Sequence, residues 1–292
     1  MKPLSAAYMT LLYSFIFLPV AVLVLFSFQD GRLPVPPFKG PTLKWYAAVL
    51  SDRNLMAALF NSFAVALTSS AIALLLGFLA AHALARTILP ASALIRALII
   101  APMTVSTLII GLGLLTVFNR LGLPPSLWAT GIGHVVLNLP LCFAVLYAAM
   151  GDQQRNAERA ARDLGATELQ TLRLITAPML VAPLLAAFFL SVTFSWDEFI
   201  IAFLLTRFDV TLPVEIWSML RSGLSPKTNA IGSLVFLTST TLVATTLVAT
   251  ALVATALVAT TLVAATLRRM IFLPGSAMRD PCDCQMTLAQ IG

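Results

Sequence analysis

Two adjacent carboxylates, Asp197 and Glu198, stand in TFSWDEFII, inside an apolar stretch covering residues 179–206. A carboxylate at the centre of a bilayer costs roughly 2.5–3.5 kcal/mol on insertion scales, so such groups face protein or a wet pathway. Lining a channel, a carboxylate offsets the hydration that a positively charged solute loses. The pair lies about eighteen residues into its stretch, ~27 Å from the inner end of a helix. Helical neighbours point ~100° apart, so at most one of them looks straight into a channel. Ser195 and Trp196 are candidates for the same lining. The alternative is an outer-interface pair, or an ion pair with a companion subunit.

A second concentration of polar groups is mechanical in character. GDQQRNAERAARDLGATELQTLRLITA, residues 151–177, separates two long apolar runs. Glu158, Ala161, Arg162 and Gly165 recur at i, i+3, i+4 and i+7 and share one helical face. Ala160, Ala161 and Gly165 are small, which lets another backbone or a cleft wall approach. Gly165 supplies a hinge or a helix stop. Thr167 with Gln170 makes a capping box that starts a second short helix at Glu168. Pro178 then breaks or starts the next element. The pattern is helix, glycine hinge, helix, membrane span.

Other chemistries are poorly served. No span pairs Ser with His, Cys with His, or His with Glu at reactive spacing, which argues against an intramembrane enzyme. No G-x-x-x-x-G-K-[ST] segment is present to cradle nucleotide phosphates. His82 and His134 each lie alone in or beside apolar runs and read as hydrogen-bonded packing residues. Cys142 reads as a small packing residue. Cys282 and Cys284 lack histidine partners for a metal, and a reducing cytosol disfavours their disulfide. No metal site is expected.

These groups must be held by membrane-spanning elements. Of 292 residues, 59% are hydrophobic and 10% charged, with a mean hydropathy of +0.95; soluble domains carry roughly 25% charged residues. Six stretches are long enough to cross a ~30 Å core: residues 6–28, 59–85, 97–118, 127–150, 179–206 and 230–267. The class is an all-α membrane protein with six transmembrane helices. The first stretch is too long for a signal-peptide core and is expected to stay as a span. With both termini inside, a small majority of the 18 Lys and Arg residues falls inside. The net charge of +6 fits basic loops, and no basic run suits nucleic acid.

Outside the spans, Thr42 reads as the N-cap of a short helix over 43–50, with Trp45, Tyr46, Val49 and Leu50 forming an apolar face at the outer membrane surface. A second surface helix is expected over 214–220. The last stretch ends in near-identical pentads from Thr241, TLVAT then ALVAT. A period of five turns a helix by ~500° and presents no constant face. Tandem slippage that lengthened an ordinary last helix is the expected origin; a kinked or projecting helix is the alternative.

ERAARDLGATELQTLRLITAPMLVAP resembles the signature loop of the integral-membrane permease subunits of bacterial ABC importers. That pattern has Glu-Ala-Ala, a Gly four residues after the second Ala, and Leu-Pro about a dozen residues beyond. Ala160, Ala161, Gly165 and Pro178 fit it. Arg159 stands where the family usually has Glu, with Glu158 one place earlier, and Ala177 replaces the Leu before Pro178. The resemblance extends over residues 60–267 and includes NSFAVALTSSAIALLLGFLAAHALAR. SWDEFIIAFLL and LPVEIWSMLRSGLSPKTNAIG look most like permeases of the polyamine class.

The resemblance implies a type I importer permease fold. Residues 1–56 would hold the first helix and outer loop, 57–267 the permease domain with its coupling loop 151–178, and 268–292 a cytoplasmic tail. Glu158, Arg159, Ala160, Ala161, Asp163, Gly165, Ala166 and Pro178 would couple the channel to an ATPase. The implied partners are two ATPase subunits, which bind ATP and Mg, a second permease of different sequence, a soluble solute-binding protein and membrane lipid. The chain itself would carry no cofactor and no enzyme activity, and would sit in the bacterial inner membrane with cytoplasmic termini. The implied cargo is a polyamine or similar small cation, or alternatively an amino acid-like or other organic solute. An ion-driven secondary transporter is the rival, but no internal symmetry supports it.

Overall fold

The computed structural model describes residues 2–31, 33–87, 90–223 and 225–271. The described residues form helices and no strand, with a single isolated bridge between Gln29 and Pro41. The chain divides into two compact units, 1–250 and 251–292.

In the first unit the helices are α1 (Lys2–Ser27), α2 (Lys44–Leu50), α3 (Arg53–Arg86), α4 (Ser92–Ile100), α5 (Thr107–Arg120), α6 (Leu127–Ala149), α7 (Asp152–Asp163), α8 (Glu168–Thr171), α9 (Ala177–Met179), α10 (Val181–Asp197), α11 (Ile200–Leu205) and α12 (Leu212–Ser222). Helix α13 (Pro226–Ile271) starts in this unit. The second unit contributes its remainder, residues 251–271, which is helical. Residues 272–292 of the expected tail, with Cys282 and Cys284, lie outside the described residues.

Helix α3 is the axis of the bundle. Asp52 starts it: Oδ1 accepts hydrogen bonds from the backbone N–H of Asn54 and Leu55 (3.0 and 3.3 Å), while Oδ2 accepts from Lys227 Nζ at 2.6 Å. Most of its buried residues are small, Ala58, Ser62, Ala66, Ser69, Ser70, Ala73, Gly77 and Ala81, with Leu55, Val65 and Phe78 the larger ones. Lipid tails are as apolar as leucine, so helices in a bilayer gain by close packing, which small residues allow. At Gly77 a methyl group would lie 2.9 Å from Cys142 Cβ and from the Phe143 nitrogen. Helices α6 and α10 lie against α3. Phe143, Leu146, Leu180 and Ala187 complete the buried core there.

Four helices are long and apolar enough to cross a membrane, and six spans result if each of two bent pairs counts as one. The third and fifth expected spans are those bent pairs. Residues 92–104 and 107–120 meet at 106°, and residues 168–179 and 181–197 meet at 75°. In the first, Pro102 lies in a 3-10 turn (Ala101–Thr104) and Val105 is extended. The fifth expected helix does not continue to 206 either. It stops at Asp197, and Glu198 is extended (ψ 111°). Glu198 Oε1 then accepts from the backbone N–H of Ile200 (3.0 Å) and Ile201 (3.1 Å), starting α11 anew. Asp197 and Glu198 are therefore not neighbours on one helix.

Helix α11 packs against α5 and α6 where glycines leave room. A Cβ on Gly133 would sit 2.5 Å from Ile201 Cγ2 and 3.0 Å from Leu205 Cδ1. We expect Gly133→Ala to cost about 1–3 kcal/mol through overpacking, read as a lower midpoint in detergent melts. Gly113→Ala on α5, with nothing within 4 Å of its added carbon, should melt like the parent.

The short helix α2 starts one residue later than expected, and the Thr42 hydroxyl accepts from the Lys44 N–H at 3.3 Å. Its aromatics grip protein. Trp45 Nε1 donates to the Gln29 carbonyl (2.8 Å), and the Tyr46 hydroxyl lies between Ser27 Oγ (2.7 Å) and Ser233 Oγ (2.8 Å). Lys44 pairs with Asp30. The second surface helix, α12, exceeds its expected 214–220 at both ends. In the pentads, threonine hydroxyls bond back along their own helix, Thr245 to the Leu242 carbonyl and Thr255 to the Leu252 carbonyl (2.8 and 2.9 Å). Satisfied internally, they need no partner in an apolar medium.

The Lys227–Asp52 pair makes a local prediction. Its hydrogen bond, outweighing partial burial, holds the Asp52 carboxyl below its ordinary value of 3.8. The pair's stabilisation is thus present above pH 3.8 and lost as pH falls through the lower folded value. Asp52→Ala removes both cap and pair and should cost about 1 kcal/mol near neutral pH. In melts, Asp52→Asn should keep most of this, since asparagine caps as well.

Candidate functional site

The polar segment lies at the end of the bundle where α3 terminates at Arg86. Helix α7 opens with the Gly151 N–H donating to Gln154 Oε1 at 3.1 Å. It closes in a Schellman motif: the Ala166 N–H bonds the Ala161 carbonyl (3.0 Å) and the Gly165 N–H bonds the Arg162 carbonyl (2.8 Å). That closure needs a left-handed residue, and Gly165 has φ +90°. The capping box comes next, as the sequence predicts. Thr167 N–H donates to Gln170 Oε1 (2.8 Å) and Gln170 N–H to Thr167 Oγ1 (3.3 Å). A π turn (Leu172–Thr176) leads into Pro178, with the Ala177 N–H reaching back to the Leu172 carbonyl. Proline lacks the N–H for the α bond to residue 174, which accounts for a change of winding here.

Glu158, one of the expected coupling residues, points inward. It is 0% exposed. Arg86 Nε donates to Oε2 at 2.6 Å, and the Arg86 terminal nitrogen and Thr176 Oγ1 donate to Oε1 at 3.2 and 2.9 Å. Burial raises the carboxyl pKa, but the Arg86 and Thr176 hydrogen bonds outweigh burial and hold it below 4.5. With no exposed surface of its own, Glu158 belongs to the inner side of α7.

The other coupling candidates sort by exposure. Arg159, Ala160, Asp163, Gly165 and Pro178 are exposed, while Ala161 and Ala166 are half-buried. Leu164, absent from the sequence-based set, is 90% exposed, and Leu169 and Leu174 are also exposed. An added carbon at Gly165 would meet nothing within 4 Å. One side of α7 is thus bolted to the bundle, and the other offers a small-residue rim edged by leucine and charge.

The second candidate lies toward the Asp52 end of α3. A cavity of about 370 Å³ is lined by Trp196, Asp197, Phe199, Ile216, Trp217 and Val235, among others. Asp197 is exposed and supplies the charge. Phe199 and Trp217 meet at a tilt, with 55° between ring planes and 5.7 Å between ring centres. A carboxylate among aromatic faces suits an ammonium group carried on a hydrocarbon chain, by Coulomb attraction and by contact with π faces. Phe199 and Trp217 were not among the sequence candidates. Their aromatic character marks them, but only the fold, which lays α12 against α3, brings Trp217 to Phe199.

Trp196, which also lines the cavity, and the other pathway candidates are held by contacts within the chain. Trp196 Nε1 donates to Ser239 Oγ (3.0 Å), and its ring lies 4.6 Å from that of Phe63. Glu198 caps α11. Ser195 is buried, with Oγ 2.6 Å from His134 Nδ1 and 3.2 Å from Ser69 Oγ. A Ser–His pair at hydrogen-bond distance thus forms between two helices, α6 and α10, where spacing within one span could not show it. The other ring nitrogen of His134 is buried without a hydrogen-bond partner among the described residues, so no carboxylate orients the ring as a general base needs. The pair clasps α6 to α10 and fits the packing role read for His134.

Residues 73–271 match the family described as binding-protein-dependent transport system inner membrane component. The spermidine/putrescine transport system permease protein PotC of Escherichia coli (strain K12) is 28% identical over 242 residues, covering 82% of this chain and 91% of that protein. The putrescine transport system permease protein PotI of the same strain is 30% identical over 234 residues, covering 76% and 82%. Among solved structures, a bacterial ABC transporter involved in the import of the acidic polysaccharide alginate aligns with a TM-score of 0.63 at 17% identity, covering 84% of this chain and 94% of that one. The same kind of transporter, in complex with an alginate pentasaccharide-bound periplasmic protein, aligns with a TM-score of 0.61 at 15% identity, covering 84% and 93%.

Proposed function

We propose a transport cycle for this chain on a plain premise: it belongs to the family of binding-protein-dependent transport system inner membrane components. It is a multi-pass inner-membrane permease subunit with the type I importer fold. In the cycle, two ATPase subunits, which carry ATP and Mg, sit below the Arg86 end of the bundle and receive the exposed rim of α7. A second permease, a sister chain of different sequence, completes the pathway. A soluble binding protein delivers cargo at the Asp52 end. Both termini then lie in the cytoplasm.

The cargo is a polyamine or a similar small cation. The names of the two relatives support this, and so does the cavity at Asp197, which pairs one carboxylate with the aromatic rings of Trp196, Phe199 and Trp217. The observation that carries the mechanical part is the two-sidedness of α7, with Glu158 buried and Leu164 at 90% exposure.

The test is uptake by proteoliposomes holding the whole complex with its binding protein. ATP-dependent accumulation of spermidine or putrescine, absent for neutral diols of equal length, is the expected result. Accumulation that needs an ion gradient and no ATP would overturn the reading.

A further inference from the structure

Arg86 ends α3, and Glu158 lies on α7, 72 positions later in the chain. The carboxylate takes three hydrogen bonds: two from Arg86, at 2.6 and 3.2 Å, and one from Thr176 Oγ1 at 2.9 Å. Arg162, one turn on along α7, reaches the same carboxylate at 3.8 Å and also pairs with Glu168 at 3.4 Å. The Glu158 side chain is 0% exposed and that of Arg86 is 8% exposed. Thr176 reaches Glu158 from the last residue of the π turn. One residue of extra winding rotates the downstream chain by ~100°, so a plain α-helix there would aim this side chain elsewhere.

A surface ion pair yields when pulled, because water replaces each partner. A buried one whose acceptors are filled does not, because parting the charges leaves them without solvent. The three tied elements are those that would have to move together: the helix presenting the exposed rim, the end of the central span, and the turn leading into α10.

We propose that Arg86, Glu158 and Thr176 form the joint through which displacement of α7 reaches the membrane-spanning helices. Glu158 is a positioning residue. It holds α7 to α3 through Arg86 and to the entry of α10 through Thr176, so that a push on the rim turns the bundle instead of bending the loop. The joint rests on the proposed function, in which an ATPase grips that rim.

The experiment measures ATP hydrolysed per solute imported, in reconstituted complexes of Glu158→Gln, Arg86→Gln, the double variant and Thr176→Val. Co-purified ATPase is quantified for each. The expected result is a rise in the ratio on the order of tenfold for either charge variant, within the usual range of coupling between sites, with the ATPase still bound and turning over. The double variant should be no worse than the worse single one, since both remove one shared interaction. Thr176→Val keeps the ion pair and should raise the ratio less; it remains informative if loss of a buried charge prevents folding. An unchanged ratio per assembled complex, with transport falling only as assembly falls, would reduce the cluster to a fold staple and overturn the joint. If no ATPase co-purifies with the unaltered chain, the function reading itself fails.

Discussion

Gly165→Trp should leave the permease folded and inserted but abolish transport, lowering uptake on the order of a hundredfold, as small displacements of an aligned part do in other machines. Two separable things happen at this position. Its φ of +90° strains any side chain, at roughly 1–2 kcal/mol. The added bulk meets nothing inside this chain, since no atom lies within 4 Å of a Cβ there. An indole therefore costs the isolated subunit little more than a methyl group does. Its damage comes from holding a partner's surface off the rim formed with Asp163 and Leu164. Gly165→Asn, which tolerates left-handed backbone better than most residues, should keep most transport. Gly165→Ala should fall between. Uptake, ATP hydrolysis and insertion measured together separate bulk from strain, and normal uptake by Gly165→Trp would overturn the proposed grip of an ATPase on this rim.

Asp197→Asn should produce the second large loss, confined to charged cargo. Two unit charges 4 Å apart at an effective dielectric of about 20 attract by roughly 4 kcal/mol, and exposure of the carboxylate reduces this. A drop in uptake of ten- to a hundredfold remains, equal to about 1.4–2.7 kcal/mol. Asp197→Glu should recover much of it. Glu198→Gln is the instructive contrast. Its amide oxygen can still accept from Ile200 and Ile201, so transport should fall little. Uptake unchanged in Asp197→Asn for every cation tried would move the pathway away from this cavity.

How much of this was legible in the sequence depends on the distance over which each contact acts. The α7–Gly165–α8 segment was readable because its determinants are local. A Schellman closure needs glycine at one place, and the Thr167–Gln170 box spans three residues. The six apolar stretches were legible as composition, but composition carries no direction. Runs 97–118 and 179–206 are apolar enough to be straight spans, yet one bends at Val105 and the other stops at Asp197. The bend needed Pro102 to be weighed as a turn former, and the stop needed Glu198 to be recognised as a cap.

Contacts between distant positions were out of reach. On helical spacing, Glu158 shared a face with Gly165, and only Arg86, 72 positions away in the chain, shows which way its carboxylate turns. The Ser195–His134 pair joins residues 61 apart, and the Tyr46 hydroxyl meets Ser233 across 187. A hydroxyl inside an apolar stretch signals that a partner exists without saying which one.

In the proposed cycle, force enters through the exposed side of α7. A cysteine placed at Asp163 in the assembled complex, treated with a short bifunctional maleimide from either side of the membrane, tests it most directly. The expected result is an adduct with the ATP-binding subunit, formed only from the cytoplasmic side and changing in yield as ATP is bound and hydrolysed. Labelling from the periplasmic side, or full labelling from the cytoplasm with no adduct to that subunit, would contradict it.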